Sequence, residues 1–193
     1  CIRDRRGFSV VNHMLLPKAY APSVEEDYWH LRTHVQIWDV AVQRQVQITG
    51  PDAARLVQLM TPRDLRRARV GQCLYVPLID EHAGMLNDPV LLKLADDKFW
   101  LSIADSDILL WAKGLAVGMG LDVAITEPDV SPLAIQGPKA EALMTDLFGS
   151  AIAALGHFEY GIFDVLGTSQ VIARSGYSKQ GGYEIYLEGG HLG

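Results

Sequence analysis

One short pattern occurs twice in the chain and constrains its fold more than any other feature of the sequence. The pattern I-x-G-P-x-A-x-x-L spans 48–56 and recurs over 135–143. In both copies a strand-like run precedes the Gly-Pro pair, and apolar residues at helical spacing follow it. Proline is well suited to the first position of a helix. Two strand-turn-helix units with added strands predict an α+β fold with ferredoxin-like split βαβ units and a mostly antiparallel sheet.

Hydrophobic periodicity and turn residues predict the other elements. The stretch Ser23-Val24-Glu25-Glu26 matches a capping box, which predicts a helix over 23–37. A later helix is expected to start near residue 105, to bury Leu109, Leu110, Ala112 and Leu115, and to end at the Gly118/Gly120 region. Strands are predicted over 45–48, 74–79, 122–126, 171–174 and 183–187, with a hairpin of 90–94 and 99–103.

Charge and composition exclude several classes of partner. A net charge of −6 argues against nucleic acid, because phosphate binding needs a basic face. No apolar run approaches the ~18 residues of a membrane span, so no membrane partner is expected. Only Cys1 and Cys73 occur, which favours a reducing, cytoplasmic location. The sequence does not indicate an oligomeric state. Two short arginine-rich segments are either solvated or face an anion (Arg3, Arg5, Arg6; Arg63, Arg66, Arg67, Arg69).

Common catalytic motifs are absent from the sequence. His30 and His34 have the i, i+4 spacing of metal-binding pairs, but no HExxH glutamate or nearby third ligand accompanies them, so no metal is predicted. The chain also lacks a P-loop, a GxGxxG after a strand and a GxSxG elbow. The usual nucleotide-binding and hydrolase functions therefore have no support.

Two carboxylates are better candidates for a site. Asp88 lies in Gly84-Met85-Leu86-Asn87-Asp88-Pro89, where it is either part of a turn or a lone acid at the start of a strand. Glu184 follows the glycine-rich loop 175–182, which contains Tyr177. Its carboxylate could accept two parallel N–H bonds from a planar partner such as a pterin ring, or it could be exposed on a hairpin.

Several ordered segments resemble one protein family. They are Leu74-Tyr75, Gly84-Met85-Leu86-Asn87-Asp88, Leu133-Ala134-Ile135-Gln136-Gly137-Pro138, and Ser175-Gly176-Tyr177 with Gly182-Tyr183-Glu184-Ile185. This set resembles the aminomethyltransferase family, which includes the T protein of glycine cleavage and its folate-dependent relatives. The resemblance implies tetrahydrofolate as cofactor.

The resemblance also assigns roles to individual residues. It implies that Asp88 faces the reactive edge of tetrahydrofolate as the catalytic carboxylate and that Glu184 holds the pterin. It further implies that Tyr75 and Tyr177 line the folate slot. Asn87 stands where glycine-cleavage T proteins usually have the first of two acids, and it is assigned to the cofactor site. Asp88 and Glu184 are expected to face one shared cleft.

Other segments are similar to the dimethylsulfoniopropionate demethylase branch of this family. They are Asn12-His13-Met14-Leu15-Leu16-Pro17, Ser23-Val24-Glu25-Glu26-Asp27-Tyr28, Ile103-Ala104-Asp105-Ser106-Asp107, and residues 173–182. The similarity implies a methyltransferase that takes a methyl group from a small sulfonium acid, with 5-methyltetrahydrofolate as product. Aminomethyl transfer, demethylation of an N-methyl compound and folate binding without turnover remain alternatives. Aromatic side chains are candidates for holding the sulfonium group (Phe8, Tyr20, Tyr28, Trp29, Trp38).

The family resemblance also bears on domain organisation. Residues 1–45 are expected to form an N-terminal helical segment of a first subdomain, and 46–193 a ferredoxin-like folate-binding region. The chain begins without Met and stops soon after a strand pattern, so we expect a piece of a longer protein. The family's C-terminal barrel-like domain has no counterpart within these residues.

Overall fold

The computed structural model describes residues 7–20, 23–104 and 107–189. Its strands are β1 (Phe8–Val11), β2 (Met14–Pro17), β3 (Gln36–Asp39), β4 (Gln45–Thr49), β5 (Cys73–Tyr75), β6 (Leu78–Ile79), β7 (Met85–Asn87), β8 (Val90–Ala95), β9 (Lys98–Ser102), β10 (Ala124–Thr126), β11 (Val130–Gln136), β12 (Tyr160–Val165), β13 (Thr168–Ala173) and β14 (Gly182–Glu188). Its helices are α1 (Val24–Thr33), α2 (Ala53–Met60), α3 (Ile108–Met119) and α4 (Ala140–Phe148). The predictions for Cys1, Arg3, Arg5, Arg6 and Asp105 lie outside the described residues.

The chain divides into two compact units. Unit 1 comprises Cys1–Val42 and Ser131–Gly193, and unit 2 comprises Gln43–Val130. The predicted boundary at residue 45 lies near the observed one between Val42 and Gln43. The prediction treats 46–193 as one region, whereas the structure divides these residues between the two units. The described part of 1–45 contains β1, β2 and β3 as well as α1.

Unit 2 has the ferredoxin-like topology that the sequence predicts. Its five-stranded sheet has the order β10-β4-β9-β8-β5, and each neighbouring pair is antiparallel. The segments β4-α2-β8-β9-α3-β10 form the split βαβ arrangement. The core of the unit packs α2 and α3 on this sheet, with Leu56, Val57, Met60, Leu91 and Leu101 fully enclosed.

Unit 1 contains a second five-stranded sheet. Its order is β12-β13-β14-β11-β3, and a separate hairpin pairs β1 with β2. Helix α4 packs against one face through Ala140 and Met144, which join Ile172, Ile185 and Leu187 in the core. The other face of β14 therefore remains for Glu184 and Tyr186, because side chains alternate along a strand.

The repeated Gly-Pro turns have the same geometry in both units. Gly50 and Gly137 have φ values of 121° and 129°, and in each turn the alanine three residues later donates its N–H to the glycine carbonyl at 3.0 Å. A Cβ on Gly50 would lie 2.7 Å from the Asp122 carbonyl oxygen, and a Cβ on Gly137 would lie 2.3 Å from the His34 carbonyl oxygen. Glycine is therefore required at both turns by conformation and by close backbone approach.

The first helix is shorter than predicted. The capping box forms as expected, since the Ser23 hydroxyl accepts from the Glu26 N–H and the Glu26 carboxylate from the Ser23 N–H. The helix ends at Thr33, however, and Trp38 lies in β3, which pairs with β11. The prediction of helix to residue 37 is wrong because the backbone of 36–39 is bonded into the sheet, and tertiary context overrides local periodicity.

Two further predictions need correction. The predicted strand 74–79 is split into β5 and β6, and between them the Val76 N–H donates to the Pro89 carbonyl at 3.0 Å. In α3 the buried residues are Ile108, Ala112 and Ala116, while Leu110 is 63% exposed. Leu110 lies outside that i, i+4, i+8 stripe, so its assignment to the core is wrong. The Gly120 cap is confirmed, with φ of 62°.

No helix within the described ranges is long and apolar enough to cross a membrane.

Candidate functional site

Asp88 lies in the short connection between β7 and β8 in unit 2. Strand β5 runs beside β8 with Tyr75 opposite Val90, and this register brings Tyr75 next to the connection. The Tyr75 hydroxyl donates to Oδ2 of Asp88 at 3.0 Å. That hydrogen bond is the main cause of a raised pKa for Tyr75. Asp88 is half-buried and Tyr75 is 44% exposed, so the pair lies at the surface of unit 2.

Pro89 and Asn87 hold Asp88 in place from both sides. Pro89 is buried, and its carbonyl accepts from the Val76 N–H. Asn87 is 6% exposed, and its Oδ1 accepts from the Ala104 N–H at 3.2 Å. These contacts tie both ends of the Asp88 connection to neighbouring segments. The structure thus gives Asn87 an internal bonding role, and its assignment as a folate contact stays a prediction.

Glu184 is a buried carboxylate on β14 in unit 1. It is 7% exposed, and its side chain lies on the face opposite Tyr183, Ile185 and Leu187, as strand alternation predicts. Its Oε2 accepts from the Ser175 hydroxyl and, at 3.4 Å, from the Tyr186 hydroxyl. Burial raises the pKa of Glu184, and the Ser175 and Tyr186 hydrogen bonds oppose that rise. Among the described residues, no lysine, arginine or histidine forms an ion pair with it.

Gln136 on β11 organises the glycine-rich loop that precedes Glu184. Its Nε2 donates to the Ser175 carbonyl at 3.1 Å and to the Tyr183 carbonyl at 3.4 Å, and its Oε1 accepts from the Ser178 hydroxyl at 2.6 Å. A Cβ on Gly176 would lie 2.3 Å from the same Nε2, and a Cβ on Gly182 would lie 2.5 Å from it. The loop can therefore close around Gln136 only because both positions are glycine.

Tyr177 projects from this loop and is 76% exposed. Its ring centroid lies 6.1 Å from that of Trp38, with the two planes inclined at 59°. Trp38 is half-buried, and its Nε1 donates to the Gln36 side chain at 3.0 Å. This geometry gives unit 1 an accessible aromatic pair. Trp38, one of the five aromatic candidates for a sulfonium group, thus contacts the predicted site residue Tyr177.

The predicted site residues thus fall into two groups. Tyr75, Asn87 and Asp88 come together in unit 2, and Tyr177 and Glu184 belong to the loop and strand of unit 1. The expectation that both carboxylates face one cleft stays a prediction.

Three residues near Glu184 were missed by the sequence reasoning. Ser175 and Tyr186 bond its carboxylate, and Gln136 shapes the loop in front of it. Tyr186 could have been found, because alternation places residues 184 and 186 on one face. Ser175 and Gln136 carry no such signal, since their contacts depend on loop closure and on the pairing of distant strands.

The two histidines flagged by their spacing lie on α1 and after it. The His30 and His34 rings stack with centroids 4.8 Å apart. The pKa of His34 is lowered, mainly by the positive charge of Lys139. In the described part of the chain, no group of three or more His, Cys, Asp or Glu side chains is arranged to hold a metal ion.

Curated relatives match nearly all of this chain. It is 54% identical over 188 residues to the dimethylsulfoniopropionate demethylase DmdA of Ruegeria pomeroyi, which covers 97% of this chain and 51% of that protein. It is 28% identical over 177 residues to the aminomethyltransferase of Moorella thermoacetica, which covers 90% of this chain and 48% of that protein. The chain therefore spans about half the length of the curated relatives it matches.

Solved structures show the same fold. The glycine cleavage system aminomethyltransferase T from Bartonella henselae superposes with a TM-score of 0.81 at 26% identity, over 94% of this chain and 49% of that one. The heterotetrameric sarcosine oxidase from Corynebacterium sp. U-96 superposes with a TM-score of 0.59 at 17% identity, over 80% of this chain and 75% of that one. The second likeness concerns the fold alone. The family model for the GCVT N-terminal domain matches residues 5–192, and the chain therefore belongs to this family.

Proposed function

We propose that this protein is a tetrahydrofolate-dependent methyltransferase that demethylates dimethylsulfoniopropionate to methylmercaptopropionate. The observation that carries the proposal is the 54% identity to a dimethylsulfoniopropionate demethylase over 97% of the chain. Identity to the aminomethyltransferase relative is lower, at 28%. The site residues support the same choice, because a single acid, Asp88, follows Asn87 where a pair of acids would be expected for aminomethyl transfer.

Glu184 fits the pterin end of tetrahydrofolate. A buried carboxylate is costly unless a donor compensates it, and the two hydroxyl groups beside Glu184 satisfy only one of its oxygens. A pterin ring presents a ring N–H next to an amino group, and this fork matches the two oxygens of a carboxylate. Glu184 would therefore hold the ring, and Tyr177 would offer a face beside it.

Asp88 fits the proton-handling role. Its Oδ2 is occupied by the Tyr75 hydroxyl, and within the described residues no donor contacts Oδ1. When bound, tetrahydrofolate would supply the nitrogen that accepts the methyl group. Oδ1 of Asp88 would favour the positive charge there and accept the proton that this nitrogen loses. The methyl–sulfur bond breaks with its electron pair left on sulfur, so a neutral thioether departs and no acid has to protonate it.

The Trp38–Tyr177 pair fits the methyl donor. Aromatic faces attract onium cations, and each such contact is worth about 0.5–2 kcal/mol depending on exposure. Holding donor and acceptor together can contribute about 7–11 kcal/mol toward the barrier. Positioning is thus the larger part of what this chain supplies. A reducing, cytoplasmic location is part of the proposal and rests on the cysteine content.

The proposal is tested by product analysis on protein expressed from its complete gene. Incubation with tetrahydrofolate and dimethylsulfoniopropionate should yield 5-methyltetrahydrofolate and methylmercaptopropionate in equal amounts. Ammonia release from an aminomethyl-lipoyl carrier, with no product from the sulfonium acid, would instead identify aminomethyl transfer. If 5-methyltetrahydrofolate formed from an N-methyl compound and not from the sulfonium acid, the methyl donor would be an N-methyl compound. Folate binding without any product would contradict an enzymatic role.

A further inference from the structure

A cavity at the start of α4 in unit 1 has no role in the chemistry above. Its volume is about 230 Å³, and its lining combines the Gly-Pro turn, the first turn of α4 and the start of β14 (Gly137, Pro138, Glu141, Arg174, Gly182, Tyr183). Tyr183 lines it and Glu184 does not, because side chains alternate along a strand. The volume lies below the ~300–1,000 Å³ of pockets for drug-sized ligands, so the cavity suits a small molecule.

Arg174 supplies the positive charge of this cavity. Its Nη1 donates to the carbonyls of Ala153 and Leu155 at 3.2 and 3.0 Å, and its Nη2 donates to Oε2 of Glu141 at 2.6 Å. Its guanidinium carbon also lies 5.7 Å from the centroid of the Tyr183 ring. The side chain of Glu141 is 52% exposed and that of Arg174 is 33% exposed. The guanidinium is therefore held in place, while the carboxylate on it belongs to a side chain that has room to turn toward solvent.

The Tyr183 hydroxyl is the feature that points to a ligand. Tyr183 is 1% exposed, and within the described ranges its buried hydroxyl has no hydrogen-bond partner. Burial raises the pKa of Tyr183, and the charges of Arg174 and Glu141 act on it in opposite directions, so the hydroxyl lies near this ion pair. A buried hydroxyl without a partner destabilises the fold. A ligand oxygen held by Arg174 would give this hydroxyl an acceptor.

The N-terminus of α4 adds favourable polarity at the same place. Its N-cap residue, Lys139, makes no side-chain capping bond. Among the described residues, the backbone N–H groups of Glu141 and Ala142 have no hydrogen-bond partner. Free N–H groups in the first turn of a helix carry partial positive charge and favour anions.

We infer that this cavity is a second binding site, for the carboxylate of a small organic acid that replaces Glu141 on Arg174 and accepts from the Tyr183 hydroxyl. A carboxylate fits better than a phosphate, because Arg174 is the only cation among the described lining residues and already holds a carboxylate. The guanidinium fork also matches the two oxygens of a carboxylate. The inference does not depend on the proposed function, since none of the residues assigned to folate or the methyl donor takes part.

The test compares propionate with its neutral analogue propionamide, by ligand-observed NMR titration of protein expressed from its complete gene. Propionate should bind about tenfold more tightly, because only the charged form can replace Glu141 on the guanidinium. In Glu141→Ala, propionate affinity should rise about tenfold, since a tethered carboxylate competes at an effective concentration of about millimolar. The matched control Asp146→Ala removes the same charge from an exposed position near the other end of α4 and should keep the wild-type affinity.

Tyr183→Phe separates a ligand-binding hydroxyl from a structural one. It should weaken propionate binding about tenfold, as expected for the loss of a hydrogen bond to a charged group. Its unfolding free energy in urea should equal or exceed that of the wild type, because the deleted hydroxyl has no partner within the described ranges.

Four results would overturn the inference: equal binding of propionate and propionamide, no propionate binding even in Glu141→Ala, an unchanged propionate affinity in Tyr183→Phe, or a clear loss of stability in that variant. Inorganic phosphate that bound more tightly than propionate would overturn the assignment to carboxylates.

Discussion

At the scale of single residues, the account depends on two carboxylates in opposite situations. Asp88 is half-buried with one oxygen bonded by Tyr75, so it can serve as an acceptor. Glu184 is buried with two hydroxyl donors and no cationic partner in the described ranges, and burial raises its pKa. A ligand that donates hydrogen bonds would stabilise the ionised form of Glu184, which burial disfavours.

The buried acid predicts a trade-off between stability and binding in Glu184→Gln. Because the pKa of Glu184 is raised, the native state binds a proton more readily than the unfolded state, and stability falls as pH rises above its ordinary value of 4.5. The glutamine variant lacks this loss. Its unfolding free energy, measured by urea titration, should match the wild type near pH 4 and exceed it as the pH rises above 4.5.

The same variant should bind tetrahydrofolate about 10- to 100-fold more weakly, in line with the loss of a charge-assisted bond of about 1.5–3 kcal/mol. Ser175→Ala provides the comparison, because it removes one hydroxyl bond but keeps the carboxylate. If the Glu184→Gln variant bound folate as tightly as the wild type, the pterin-holding role of Glu184 would be contradicted.

At the scale of elements, the loop 175–182 is shaped by Gln136 and not by its own residues alone. Its glycine content could be interpreted from sequence as close approach to a ligand. In the structure the close neighbour of Gly176 is the Gln136 amide, and Gly182 lies against the Ile135 carbonyl oxygen and that same amide. That partner could not be predicted, since it comes from β11 through pairing over about forty residues of chain.

Two glycine variants separate clash from backbone strain in this loop. Gly176→Ala should lower the unfolding free energy by about 1–2 kcal/mol for its positive φ and by about 1–3 kcal/mol more for the clash with Gln136. Gly181→Ala has a positive φ but no atom within 4 Å of its Cβ, so it should show only the first loss. Urea titration of both variants measures the difference. Equal losses would mean that Gln136 does not restrict the loop.

The elements that sequence predicted correctly are those with local signals. The Gly-Pro repeats, the capping box at Ser23 and the hairpin of β8 and β9 all depend on residues within a few positions of one another. The strands it missed, β1, β2, β3, β7 and β12, are ones whose pairing partners decide their conformation. The end of α1 was misplaced for the same reason, because β3 is stabilised by β11.

At the scale of the whole molecule, the sequence predicted the α+β class and the family correctly, and the family model and relatives confirm both. The predicted site residues lie in two local groups, one in each unit, and their roles stay predictions. The central claim is that Asp88 takes part in methyl transfer to a folate held by Glu184.

The most direct measurement of that claim is single-turnover methyl transfer by Asp88→Asn protein expressed from its complete gene. Formation of 5-methyltetrahydrofolate from dimethylsulfoniopropionate should slow by about 10²–10⁴-fold, the usual contribution of a positioned acid or base. Tetrahydrofolate affinity should stay within about threefold of the wild type, because asparagine keeps an acceptor for the Tyr75 hydroxyl. Asp96→Asn, the same change at a side chain that is 94% exposed, should leave the rate unchanged. A wild-type rate in Asp88→Asn would contradict the account.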